Sequence, residues 1–198
     1  MNHATPARIS RLTSNKPALI AFLAIIDSVH FVFARLLLPH ISPYASVFFI
    51  AVVAALEDGI YGFIGGRIHF KTLFKNLLFF LSIGILIGIS TIINYESVAF
   101  IDPGTASLLA RSSILISMGL GIFWLGERLT KLQGSGALLA LMGVLMISFQ
   151  PGDYIRTGSL LILISAFLYE LHTAIVKRHG GDMDFVEFFF FRILAVAV

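Results

Sequence analysis

The chain has 198 residues, of which 58% are hydrophobic and 13% charged, with a formal net charge of +3. A soluble domain carries roughly 25% charged residues, and a mean hydropathy of +0.93 leaves more apolar surface than a soluble core can hide. There is no cysteine, which excludes disulfide frameworks, thiol chemistry and thiolate metal sites. The basic excess lies in short loops, a pattern that sets membrane topology and does not suggest nucleic acid.

In chain order, the polar tail 1–16 leads directly into an apolar run too long for a signal-peptide core, with no cleavage site after it. A hydrocarbon core of about 30 Å needs about 20 apolar helical residues. Six spans are predicted on that basis, over 17–38, 43–66, 73–93, 102–125, 132–149 and 157–176. A seventh starts near Phe185 and has only fourteen residues to Val198, about 21 Å of helix. The expectation is a fragment of a larger protein of roughly ten spans. All six prolines fall in tails, turns or first turns, where a missing N–H is harmless. Arg8, Arg11, Lys16, Arg67, Lys71, Lys75, Arg128, Lys131, Lys177 and Arg178 alternate loop by loop onto one side. Only Arg156, with Arg35 near the end of the first span, lies opposite, which places the N-terminus in the cytoplasm.

An ungapped shift of 142 residues lays the first span on the sixth, so that Ile20 meets Ile162, Ala24 meets Ala166 and His30 meets His172. An odd number of spans separates the two copies, so they enter the membrane from opposite sides. That is the inverted repeat of many secondary transporters.

Polar residues inside these spans are the functional candidates. Arg111 interrupts the fourth span near its middle; it either glues helices together or contacts an anionic or zwitterionic solute. Asp102 caps that helix and Pro103 suits its first turn. Asp27 and His30, three apart, share a face of the first span as a proton relay, a counter-ion pair or a polar helix lock. His172 repeats His30. Glu170 is two residues from His172 and about 200° around the helix, so if His172 faces the cavity Glu170 faces another helix. Glu57 and Asp58 form a cavity wall or point to the cytoplasmic interface. Glu127 in the Leu-Gly-Glu-Arg run is expected to pair with Lys131 at i to i+4. Tyr95 and Trp124 read as interfacial anchors, and Gly84-x-x-x-Gly88 and Gly119-x-Gly121 as close-packing sites. No nucleotide or metalloprotease motif is present.

The segments LGERLT (Leu125–Thr130), LQGSGALLALMGVLMIS (Leu132–Ser148), NYESVAFIDPGTASLL (Asn94–Leu109) and GSLLILISAFLYELHTAIVKR (Gly158–Arg178) resemble the EamA-type repeat of the drug/metabolite transporter superfamily. The resemblance implies an all-α polytopic bundle of two inverted five-helix repeats around a central cavity. It divides the chain into a cytoplasmic tail 1–16, a first repeat 17–149 and an incomplete second repeat 150–198. Arg111 departs from the small or apolar residue usual in that family. The expected function is secondary transport, by efflux or exchange, of small polar metabolites such as amino acids or organic ions across the cytoplasmic membrane. Asp27, His30, Glu57, Arg111, Glu170 and His172 are the candidate binding or coupling residues. The implied partners are a small-molecule substrate, the bilayer and conceivably a second copy of the chain, with no nucleic acid, cofactor or metal and no enzymatic activity. The competing expectation is a non-transporting membrane subunit or an inactive truncated remnant.

Overall fold

In a bilayer every backbone polar group must be satisfied within the protein, and a helix does this locally. In the computed structural model helices are the only regular secondary structure among the described residues, which are 16–128, 130–148, 157–181 and 183–197. The side chains of residues 16, 18, 27, 28, 147 and 148 are outside that description. The N-terminal tail up to residue 15 and the segment 149–156, with Arg156, lie outside it too.

Helix α1 covers Lys16–Leu37. Helix α2, Pro43–Ile64, starts with Pro43 behind Ser42, whose hydroxyl accepts the Ala45 N–H at 3.3 Å. The predicted third span is split. A short α3 over Phe70–Lys75 stops at Asn76, whose amide donates back to the Thr72 carbonyl at 3.1 Å, and α4 then runs over Leu77–Ser97. The shift carries α4 past its predicted end at 93 and takes Tyr95 into the bundle.

The predicted fourth span is also split, at Arg111. Helix α5, Pro103–Ala110, is capped by Asp102, which accepts the Thr105 N–H at 2.9 Å, as its sequence suggests. Helix α6 covers Ser113–Phe123. Between them the chain tightens to i to i+3 bonds: Arg111 N–H to Leu108 O at 3.1 Å and Ser112 N–H to Leu109 O at 2.9 Å. A tight turn inside a helix marks a hinge or local strain. Helices α7 (Lys131–Ser148), α8 (Thr157–His179) and α9 (Phe185–Ala197) complete the described chain.

Among the described residues, five helical stretches are long and apolar enough to cross a membrane: Leu19–Leu37, Pro43–Ile64, Leu77–Ser97, Pro103–Phe123 and Thr157–His179. The fifth predicted span, 132–149, is represented by a shorter apolar helix, Lys131–Met146. Helix α4 is the hub. It packs most extensively on α8, while α9 packs on α2 and α4, α6 packs on α8, and α1 packs on α5.

Two clusters form the interior. One, toward the end opposite the basic loops, joins Phe31, Ala34, Val98, Ile101, Leu109 and Ile162. The other, toward the basic loops, centres on Phe80, Ile83, Phe190 and Phe191. Lipid chains are as apolar as these side chains, so close packing rather than water exclusion holds the helices together. Gly84 makes the tightest crossing, where a Cβ would lie 2.6 Å from both the Cβ and the carbonyl oxygen of Ala195 on α9. In the Gly119-x-Gly121 pair, only Gly121 has a neighbour that a Cβ would meet.

Candidate functional site

Between the two clusters lies a cavity of about 270 Å³. Its α4 wall is Ser90, Thr91 and Asn94, which recur at one-turn spacing on one face. Its α8 wall is Ile162, Ser165, Ala166 and Tyr169, again spaced at three and four residues. Helix α1 contributes His30 and Phe31, and the interrupted helix contributes Ala110 and Ser113 on either side of its break.

Three features fix this lining. Ser90 Oγ donates to the Ser165 carbonyl and Ser165 Oγ to the Ser90 carbonyl, both at 2.9 Å, so α4 and α8 are bonded reciprocally. The imidazole of His30 meets the Tyr95 ring edge-on, with centroids 5.0 Å apart. The Asn94 side-chain oxygen is buried and accepts no hydrogen bond from the described residues. A buried acceptor without a donor costs about 1–3 kcal/mol, which a donor on a bound solute would offset.

Of the expected site residues, His30 lines the cavity. Asp27 lies three positions before it in α1, its side chain outside the described set. Arg111 is half-buried at the break, next in sequence to the cavity residue Ala110. Glu170 and His172 diverge, as the helical angle requires. Glu170 faces α6, where it borders a small cavity with Ser117. His172 is buried, with Nδ1 2.8 Å from the Tyr169 carbonyl and its ring against the Tyr169 ring at 5.1 Å. It touches a cavity residue without being one of those that line the cavity. Glu57 is exposed beside Phe49, Ile50 and Val53, away from the cavity.

Two expectations are overturned. Tyr95 is 3% exposed and packs on His30, so it is no interfacial anchor; the break at Asn76 displaced it inward. Glu127 pairs with Lys177 on α8 instead of Lys131. Residues 124–128 and 130 are not helical, so the i to i+4 geometry does not arise at Glu127. Trp124 does carry the Arg178 guanidinium 5.9 Å above its ring.

The sequence reading missed Ser90, Thr91, Asn94, Ser165 and Tyr169. A signal was present: polar residues on one stripe of otherwise apolar spans. Arg192 sits on α9 with its guanidinium 4.2 Å from the Phe189 ring centroid.

Membrane-spanning helices packed around a polar cavity define a multi-pass helical membrane protein. The family model of the EamA-like transporter family matches residues 15–149, and the chain belongs to that family. It is similar to the "Uncharacterized transporter YdfC" of Bacillus subtilis (strain 168), 30% identical over 95 residues. That match spans 47% of this chain and 31% of the relative, well under half of the relative's length. No solved structure matches the chain significantly. Family and relative point to a transporter rather than an enzyme.

Proposed function

We propose that the protein is a secondary transporter that moves a small polar metabolite, of the amino-acid or organic-ion class, across the cytoplasmic membrane by alternating access. The N-terminus and the basic loops lie in the cytoplasm. Residues 17–149 form one repeat and 150–198 begin an inverted second. The orphaned Asn94 oxygen in the hydroxyl- and imidazole-lined cavity carries the reading. It calls for a donor such as an ammonium group, while Arg111, at the break beside the cavity, supplies a cation for a carboxylate. Asp27 and His30 are proposed to couple this movement to protons.

The test is uptake of radiolabelled amino acids into proteoliposomes. Asn94→Leu should weaken half-saturation about tenfold, the equivalent of one hydrogen bond to a charged group. Asp27→Asn and His30→Gln should each flatten the pH profile. Unchanged profiles in both remove the coupling role. A protein that neither takes up nor is thermally stabilised by any of the twenty amino acids or simple organic acids would sink the substrate class.

A further inference from the structure

The interface between α6 and α8 holds a run of polar groups leading away from the cavity. Ser113 lines the cavity, and Ser117 follows one turn on along the same helix. Glu170 on α8 meets α6 at Ser117. Beyond it is a small second cavity of about 40 Å³, bordered by Ser117, Glu170, Thr173, Glu127 and Lys177. Positions 170, 173, 174 and 177 recur at three- and four-residue spacing, so they form one stripe of α8 facing α6. Such a stripe, in helices otherwise free to be apolar, has a cost that packing alone does not return.

The stripe ends at an ion pair. After α6 the chain reverses through Gly126, whose φ of +70° is open to glycine at little cost. The Glu127 N–H then bonds back to the Gly121 carbonyl at 2.9 Å. The Glu127 carboxylate lies so close over Gly121 that a Cβ there would be 2.7 Å from its Oε2. From this seat it accepts the ammonium of Lys177 on α8. The Leu-Gly-Glu run therefore does more than end a helix: it folds a carboxylate across the mouth of the α6–α8 interface.

We propose that the α6–α8 interface is the passage between the cavity and the basic end of the protein, and that the Glu127–Lys177 ion pair is its latch. Glu170 is the polar waypoint between the two cavities. The latch is weak by construction, because its side chains are 44% and 58% exposed and a water-screened pair is easily exchanged for hydration. A strong pair would hold the passage shut. This inference rests on the transport reading for its purpose, but its geometry is testable without a substrate.

The chain has no cysteine, so a single substitution introduces the only thiol. Thr173→Cys reports on the passage and Ala110→Cys on the cavity. The probe is a membrane-impermeant cationic methanethiosulfonate, applied to the basic-end face of vesicles carrying the full chain. Thr173→Cys should label slowly. Adding Lys177→Gln should speed labelling about two- to fivefold, the shift expected when an exposed ion pair no longer biases a two-state closure. Exchanging the charges, Glu127→Lys with Lys177→Glu, should return the rate to that of Thr173→Cys alone. An unchanged rate in Lys177→Gln overturns the latch, and so does failure of the charge exchange to restore it. If Ala110→Cys labels from the opposite face while Thr173→Cys ignores the latch variants, the latch fails and the cavity stands. If Ala110→Cys labels from neither face while Thr173→Cys responds to the latch, the transport reading fails and the latch survives.

Discussion

The two ends of the bundle use the same helices in opposite ways. Toward the end opposite the basic loops, α4 and α8 present Ser90, Thr91, Asn94 and Ser165, side chains small enough to leave a cavity. Toward the basic loops, α4 and α9 present Phe80, Ile83, Phe190 and Phe191, which fill the space between them. Phe191 meets Phe80 edge-on at 5.6 Å and Phe70 at 5.9 Å. In a membrane both halves must cohere by contact alone. The aromatic half does so by volume, while the half with the cavity adds reciprocal hydrogen bonds between α4 and α8 to its own apolar cluster, so filled and polar packing are separated along the membrane normal.

Five substitutions sharpen or break that separation. The largest expected loss is from Phe191→Ala, since the ring is fully buried. About 3 kcal/mol is expected, the low end for a core phenylalanine, because lipid offers no transfer gain. Thermal midpoints in detergent measure it, and solute binding should stay intact. Gly84→Val should cost about 1–3 kcal/mol, because the backbone of Ala195 cannot yield to a new side chain. It should also lower the midpoint without touching binding. If either variant abolishes binding at temperatures where the fold persists, the two halves are not independent.

Ser90→Ala and Ser165→Ala each remove one hydroxyl-to-carbonyl bond between α4 and α8 and should each cost about 0.6 kcal/mol, the usual size of an interhelical bond in membranes. A null result would mean that the reciprocal bonds are cosmetic.

The smallest effect is at Asp102, on the polar half's outer edge. Hydrogen bonds from the Thr105 hydroxyl and then its N–H hold the Asp102 carboxyl below the usual carboxylate range. A depressed folded-state value means stability that is present above the unfolded-state pKa and lost as pH falls through the folded one. The wild type should therefore lose slightly more stability in acid than Asp102→Asn, which keeps an oxygen acceptor for the cap. The difference, read from thermal midpoints on an acid series, should vanish at neutral pH after subtraction of the offset there.

The spans were legible because twenty apolar residues in a row have few alternatives to crossing a bilayer. Arg111 was legible as a disturbance, and the helix does break there. Asn76 was not, since one amide in an apolar run shows no periodicity, and missing it misplaced Tyr95. Ser90 and Ser165 were invisible as a pair because 75 residues separate them and nothing local links them. The Glu127 partner was lost for a related reason: a helical spacing rule was applied where Gly126 turns the chain back.

That same 75-residue separation of Ser90 from Ser165 has a consequence for synthesis. At the usual pace of translation, about 5–20 residues per second, the ribosome needs about 4–15 s to make the partner of α4. The first half of the protein thus waits in the bilayer with its polar stripe unmatched. Helix α2 waits longer still for α9. Insertion and assembly are separate events here, and the late helices close the structure that the early ones began.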